Sequence, residues 1–262
     1  PECETELVRK EGEAQHYCPN EVGCPPQIKG RIEHFISRKA LNIDGLGAET
    51  VDALFDAELI RNYADLYDLT FDQVVELERM ADKSANNLID GINASKEIPF
   101  EKVLFGLGIR FVGETVAKKL AKHFKSIDNL MTADFETLIA VDEIGDRIAE
   151  SIIEFSNDLG NIQLINRLKM YGVQLQVSEE DLAGQTDKLK GKVFVVSGVF
   201  HQMSRNELKK AIEDNGGKAS SSISKKTDYV VAGDNMGPSK KTKAEDLGIA
   251  IISEQDFIEM IE

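Results

Sequence analysis

The chain has 262 residues, of which 42% are hydrophobic and 29% are charged, a composition typical of a globular protein with two or three domains. Its formal net charge of −15 argues against a broad basic surface that binds nucleic acid through side-chain charge. No apolar run approaches the ~18 residues of a membrane helix and no signal peptide opens the chain, so we expect no membrane partner.

The acidic excess lies in one part of the chain. Residues 188–262 hold 12 Lys and Arg residues against 11 Asp and Glu, whereas residues 1–187 hold 19 against 35. If the acidic part binds nucleic acid, it must do so through backbone amides, helix N-termini and a few placed cations.

Residues 1–27 contain all three cysteines, Cys3, Cys18 and Cys24, in a polar stretch. Clustered thiols of this kind predict a structural zinc site in a reducing compartment, and the alternative is three free, buried thiols. A tetrahedral site takes four ligands. We expect the fourth to be a cysteine just before Pro1, since the chain starts without Met like a segment of a longer protein, and His16 is the alternative.

Residues 28–175 show apolar positions at helical spacing, as in Ile148, Ile152 and Phe155, and predict an all-α region. A short turn recurs between the helical stretches. Its last small residue falls at Gly47, Ala81, Gly113 and Gly145, which are 34, 32 and 32 residues apart. A fixed period of this size indicates a repeated unit of helix, tight turn and helix.

The chemistry of such a turn favours the binding of a phosphate group. Glycine allows a positive φ and close approach of another backbone, and the turn leads into a helix N-terminus with free N–H groups. For one turn alone, a glycine cap in a packing array is the better interpretation. Four turns in register favour sequence-independent phosphate binding.

These turns resemble the helix-hairpin-helix family of DNA-binding repeats. Gly45-Leu46-Gly47 (hairpin 1) matches the family's glycine, hydrophobic residue, glycine pattern fully. Phe111-Val112-Gly113 (hairpin 3) and Glu143-Ile144-Gly145 (hairpin 4) lack the first glycine, and Arg79-Met80-Ala81 (hairpin 2) lacks both. The resemblance therefore predicts four hairpins of unequal quality.

The predicted DNA contacts are hairpin residues and neighbouring cations. The cations are placed to act as secondary clamps, with the arginine beside hairpin 3 reaching the minor groove, although a solvated helix face is the alternative for each. The residues are Gly45, Leu46, Gly47, Lys83, Arg110, Val112, Gly113, Lys118, Lys119, Ile144, Gly145 and Arg147.

Residues 176–187 are polar and acidic and predict a linker. Residues 188–262 then alternate strands and helices. Strands are expected at 192–198, 228–233 and 249–252, and helices at 205–215, at 239–248 and after Ser253. This order predicts a small, mostly parallel sheet covered on both faces.

The same segment resembles a BRCT domain. The shared landmarks are Ser197-Gly198 after the first strand, Gly216-Gly217 after the first helix, and Lys243-Ala244 in the second. Phe257 stands where many members carry Trp. The resemblance implies a phosphate site formed by Ser197, Gly198 and Lys243. The alternative is that Ser197 only caps neighbouring backbone and Lys243 only faces solvent.

The module order as a whole resembles the C-terminal half of bacterial NAD-dependent DNA ligases: a four-cysteine zinc finger at 1–27 that lacks its first cysteine, four hairpin repeats at 28–175, a linker at 176–187 and a BRCT domain at 188–262. The resemblance implies that the parent enzyme seals nicks between 5′-phosphate and 3′-hydroxyl with NAD and Mg²⁺. It also implies structural Zn²⁺, a nicked duplex and upstream adenylation and OB domains as partners, a monomer, and a cytoplasmic, nucleoid-associated location.

No catalytic residue is predicted in this chain. The family's nucleophilic lysine stands in a Lys-x-Asp-Gly motif, and the nearest sequences here, Asn42-Ile43-Asp44-Gly45 and Leu88-Ile89-Asp90-Gly91, lack the lysine. We therefore expect no activity from the chain alone. The alternatives are the DNA-binding part of a repair nuclease or adaptor, and a protein-interaction scaffold.

Overall fold

A computed structural model describes residues 1–9, 12, 14–178 and 186–262. Most of the predicted linker, residues 179–185, lies outside the described residues. The chain divides into two compact units, Pro1–Val177 and Ser178–Glu262. The first is helical and the second contains a parallel sheet, so the predicted fold class is confirmed.

The helices of the first unit pack around one continuous core that runs from Ile28 to Leu175. Two 3₁₀ helices, Tyr63–Asp68 and Ser95–Glu97, connect its α-helices. The α-helices are α1 (Pro25–Ile36), α2 (Ala48–Asp56), α3 (Phe71–Val75), α4 (Asp82–Ala94), α5 (Phe100–Gly106), α6 (Glu114–Phe124), α7 (Ile127–Met131), α8 (Phe135–Ile139), α9 (Asp146–Asn157) and α10 (Leu159–Met170).

Ion pairs and a stacked pair of tyrosines join the last helix of this unit to its first half. Arg167 of α10 donates to Asp65 at 2.7 Å and to Asp68 at 2.6 Å, both in the first 3₁₀ helix. Tyr171 stacks on Tyr67 with ring centroids 5.6 Å apart. Because these partners are about 100 residues apart in sequence, the contacts tie α10 to the first 3₁₀ helix.

The sheet of the second unit has the order β2-β1-β3-β4, and all of its strands are parallel. Its strands are β1 (Val193–Ser197), β2 (Lys218–Ser220), β3 (Tyr229–Ala232) and β4 (Ala250–Ile252), and its described helices are α11 (Arg205–Asp214), α12 (Pro238–Asp246) and α13 (Glu254–Ile261).

Alternation along β1 sends side chains to two small cores. Phe194 faces the core that contains Phe257 of α13, and the two rings meet edge to face at 5.9 Å. Val195 faces the opposite core with Ala244 of α12. Phe257 is fully buried.

The described part of the chain contains no helix that is both long and apolar enough to cross a membrane.

Candidate nucleic-acid interface

All four hairpins share one backbone conformation. Each begins with a residue in the left-handed region, and φ is +80° at Gly45, +65° at Arg79, +65° at Phe111 and +67° at Glu143. Two residues later, an extended residue starts the next helix. The sequence predicted unequal hairpins, but the backbone retains the turn even where glycine is absent.

The central residue anchors each hairpin to the core. Leu46, Val112 and Ile144 are buried, and Met80 of hairpin 2 is half-buried against the same core. The hydrophobic residue in the pattern is therefore explained by packing. Leu46, Val112 and Ile144 pack against the core and hold the neighbouring hairpin backbone in place.

The helix N-termini after the hairpins lack side-chain caps. The N-cap residues of α2, α4, α6 and α9 make no side-chain hydrogen bond to the first turn. Five other helices of this unit do carry such caps, from Asn62, Thr70, Ser126, Asp134 and Asp158. Uncapped first-turn N–H groups are suited to receive an anion.

Nothing within the described residues requires glycine at the last hairpin position. A Cβ added to Gly47, Gly113 or Gly145 would meet no atom within 4 Å. Their φ angles of −105°, −82° and −98° are open to any residue. The space beside these glycines is thus accessible to a group from outside the chain.

Gly45 and Gly91 have reasons within the chain, a positive φ at Gly45 and tight packing at Gly91. Gly45 has φ +80°, and its Cβ would lie 3.5 Å from the backbone of Leu88. A Cβ on Gly91, inside α4, would lie 2.7 Å from the carbonyl oxygen of Asp44. Hairpin 1 therefore rests directly on the α4 backbone. Sequence reasoning missed Gly91, and an Asp-Gly pair inside a helical pattern was the available signal.

Acidic residues stand in the first turn of every helix that follows a hairpin: Glu49, Asp82, Glu114 and Asp146. A carboxylate there stabilises the helix dipole but repels a phosphate. Nearby cations offset part of this repulsion, since the Nζ of Lys39 lies 2.6 Å from Glu114.

The predicted cations fall into two groups. Lys83 and Arg147 occupy the same exposed position, second in α4 and α9, and Lys118 is exposed one turn into α6. Lys119 is engaged within the protein, because its Nζ lies 2.7 Å from Glu143 and 3.3 Å from Asp142 at hairpin 4.

Arg110 is half-buried beside hairpin 3. Its guanidinium lies 4.6 Å from the ring centre of Tyr17 and 4.8 Å from that of Phe111. Because Tyr17 belongs to the cysteine-bearing segment, Arg110 joins that segment to the hairpin.

The three cysteines form a cluster that fits a metal ion. Cys3 Sγ and Cys18 Sγ are 3.5 Å apart, and all three Sγ atoms lie within 4.8 Å of one another. With Zn–S bonds of ~2.3 Å, the edges of a zinc tetrahedron are roughly 3.8 Å, so three corners fit. Among the described residues the cluster contains only cysteines. His16 is exposed and lies outside it.

The surroundings of the cluster suit metal ligation. Hydrogen bonds from Thr5 lower the pKa of Cys3 to about 6, whereas burial raises the pKa of Cys24. A thiolate is the form that binds metal. Cys24 also immediately precedes α1, and Gln27 of that helix donates to the carbonyl of Cys18 at 2.8 Å. The cluster is therefore continuous with the hairpin array.

In the second unit, Ser197 is buried at the end of β1, and Gly198 follows with φ +118°. A Cβ on Gly198 would lie 2.5 Å from the carbonyl oxygen of Gly233, so this position requires glycine for packing. Lys243 is exposed in the last turn of α12.

Four family models match successive parts of the chain. Residues 1–25 match the NAD-dependent DNA ligase C4 zinc finger domain. Residues 37–94 match a SAM-like helix-hairpin-helix tandem and residues 102–165 a helix-hairpin-helix motif. Residues 184–261 match the BRCA1 C terminus (BRCT) domain.

The chain is also similar over nearly its whole length to bacterial proteins named DNA ligase. Identity is 66% over 262 residues in Christiangramia forsetii, 63% over 257 residues in Flavobacterium psychrophilum and 60% over 261 residues in Bacteroides fragilis. These matches cover 100%, 98% and 100% of this chain but only 40%, 39% and 39% of the relatives. The chain thus spans about 40% of the length of the curated relatives it matches.

Proposed function

Because this chain carries the C-terminal modules of the NAD-dependent DNA ligase family, we propose that it binds the backbone of duplex DNA around a nick. The complete enzyme would seal that nick by joining a 5′-phosphate to a 3′-hydroxyl. Adenylation from NAD, with Mg²⁺, would belong to upstream adenylation and OB domains, since the Lys-x-Asp-Gly motif does not occur in this sequence.

One observation carries the DNA-binding proposal: the open, uncapped glycine at the end of hairpins 1, 3 and 4. Among the residues that the structure describes, nothing in conformation or packing requires glycine at Gly47, Gly113 or Gly145. A phosphate oxygen that approaches the first-turn amides would explain glycine at these positions, because a side chain would obstruct the approach. Hairpin 2 has Ala81 instead, which keeps the open backbone with a small side chain.

The exposed cations add charge to this arrangement. Lys83 and Arg147 lie next to the first-turn amides of α4 and α9. Each can therefore contact the DNA strand whose phosphate the neighbouring amides hold. Lys118 occupies the outer face of α6. In this proposal the amides position the backbone and these cations supply most of the salt-dependent attraction.

Cys3, Cys18 and Cys24 would hold a structural Zn²⁺, which would fix the segment that supports Arg110 through Tyr17. In the second unit, Ser197, Gly198 and Lys243 would form a phosphate site. The complete protein would act as a monomer in the cytoplasm, associated with the nucleoid.

A protein-interaction scaffold remains the second candidate because residues 1–187 carry 35 acidic against 19 basic residues. Equilibrium binding to a fluorescent nicked duplex at several salt concentrations separates the two. We expect binding at low salt and a loss of about 0.9 log units in affinity per log unit of salt for each phosphate neutralised. Absence of binding at low salt would contradict the proposed function.

A further inference from the structure

Phe111 is the residue that the proposed function leaves unexplained. It occupies the first position of hairpin 3, where hairpin 1 has glycine, and its φ is +65°. A left-handed conformation is a genuine outlier for a bulky side chain. The residue is nevertheless 45% exposed, so burial in the core does not offset the unfavourable conformation.

The ring is held in a fixed place by a stack of side chains. Arg110 lies between it and Tyr17, with its guanidinium 4.8 Å and 4.6 Å from the two ring centres. Tyr17 is fixed in turn, because its backbone pairs with Val8 through two hydrogen bonds of 2.8 Å. The stack leaves part of the Phe111 ring exposed at the hairpin tip.

The equivalent positions show that aromatic character is specific to hairpin 3. They are occupied by Gly45, Arg79 and Glu143, and all have positive φ. Glu143 is neutralised by Lys119 at 2.7 Å. The turn itself therefore accepts glycine, a cation or a paired anion, and an exposed aromatic ring is not needed to form it.

We propose that Phe111 makes an apolar contact with the deoxyribose and base edges of the duplex held by hairpin 3. This inference rests on the proposed function and adds a contact of a different kind. The amides after Gly113 would hold phosphate, while the ring would cover the adjacent sugar surface. Such a contact is sequence-tolerant, as a ligase substrate requires, and it releases no counterions.

The test compares Phe111→Gly with Phe111→Tyr in equilibrium titrations of the full chain on a nicked duplex at several salt concentrations. Phe111→Gly is expected to weaken binding about tenfold, the effect of losing one aromatic contact to a nucleotide, with an unchanged salt slope. Its thermal midpoint should not fall, because glycine adopts the left-handed region freely. Phe111→Tyr should retain the affinity of the unsubstituted chain.

Asn235→Gly is the matched control, since it replaces another exposed residue with positive φ, 56°, in the second unit. It should leave affinity unchanged. Phe111→Asn, which also tolerates the left-handed region, serves if the glycine variant unfolds.

Unchanged affinity in Phe111→Gly would overturn the inference, and so would a weakening accompanied by a smaller salt slope, which would assign the contact to Arg110. If the unsubstituted chain fails to bind at low salt, the proposed function itself fails. The two failures are therefore distinguishable.

Discussion

Gly91 shows how a single hydrogen atom can decide a packing contact. Inside an exposed helix, Gly→Ala usually stabilises by up to about 1 kcal/mol. Here the new methyl group would lie 2.7 Å from the carbonyl of Asp44, and overpacking of this kind typically costs ~1–3 kcal/mol. We expect Gly91→Ala to lower the free energy of unfolding, as measured by urea denaturation.

Gly30→Ala supplies the comparison. Gly30 also lies inside a helix, α1, but an added Cβ there would meet nothing within 4 Å. We expect this variant to be more stable by up to ~1 kcal/mol. Stabilisation by both substitutions would contradict the close approach of hairpin 1 to α4.

Sequence reasoning reaches some residues of the interface and not others. The hairpin positions follow from a repeat that spacing alone reveals, because helical period and turn residues are local properties. Phe111 and Gly91 do not follow from it. The positive φ of Phe111 is imposed by the surrounding repeat, and the role of Gly91 depends on a residue 47 positions away.

At the scale of the element, an N-cap side chain and a phosphate would compete for the same amides at the helix N-terminus after a hairpin. Aspartate is a favoured N-cap, and its side chain accepts from the first-turn amides that we assign to phosphate. Gly47→Asp should therefore keep or slightly raise stability while it weakens binding to a nicked duplex. Thermal unfolding and salt-dependent titration measure the two effects.

Ser126→Asp is the control for charge, because it places the same side chain at the N-cap of α7, which does not follow a hairpin. It adds one negative charge to the same unit without occupying hairpin amides. Equal losses of affinity in both variants would show that net charge, and not amide access, governs binding.

The elements themselves were largely predictable. The all-α array and the parallel sheet follow from periodicity and from the alternation of strands and helices. The strand β2 was missed, because Lys218–Ser220 is short, partly exposed and without hydrophobic alternation. It forms because β1 offers an unpaired edge, which is a property of the folded sheet.

At the scale of the molecule, local ion pairs reduce the conflict between the negative net charge and DNA binding. Lys39 pairs with Glu114 and Lys119 pairs with Glu143, so two carboxylates next to hairpin amides are partly neutralised. The remaining negative charge is spread over residues 1–187. Because screening at physiological salt limits its reach to ~8 Å, distant carboxylates oppose binding less than the net charge suggests.

The second unit has its own charge pair, which predicts how its stability depends on pH. His201 Nε2 lies 2.7 Å from Asp234 Oδ2, and this hydrogen bond, with a smaller contribution from Glu254, raises the pKa of His201. The folded state therefore binds the proton more tightly than the unfolded chain, in which the pKa is about 6.5. The resulting stabilisation is full below that value and is lost as the pH rises through the folded-state pKa.

We expect denaturant unfolding of the second unit, followed through amide signals of its sheet, to require less denaturant at pH 9 than at pH 5.5. His201→Gln should remove this difference, while the unfolding of the first unit should be equal in the two proteins at each pH. Because both side chains are exposed, the effect should also shrink with added salt. A second unit that becomes more stable through this range, or a pH dependence that survives His201→Gln, would contradict the assignment.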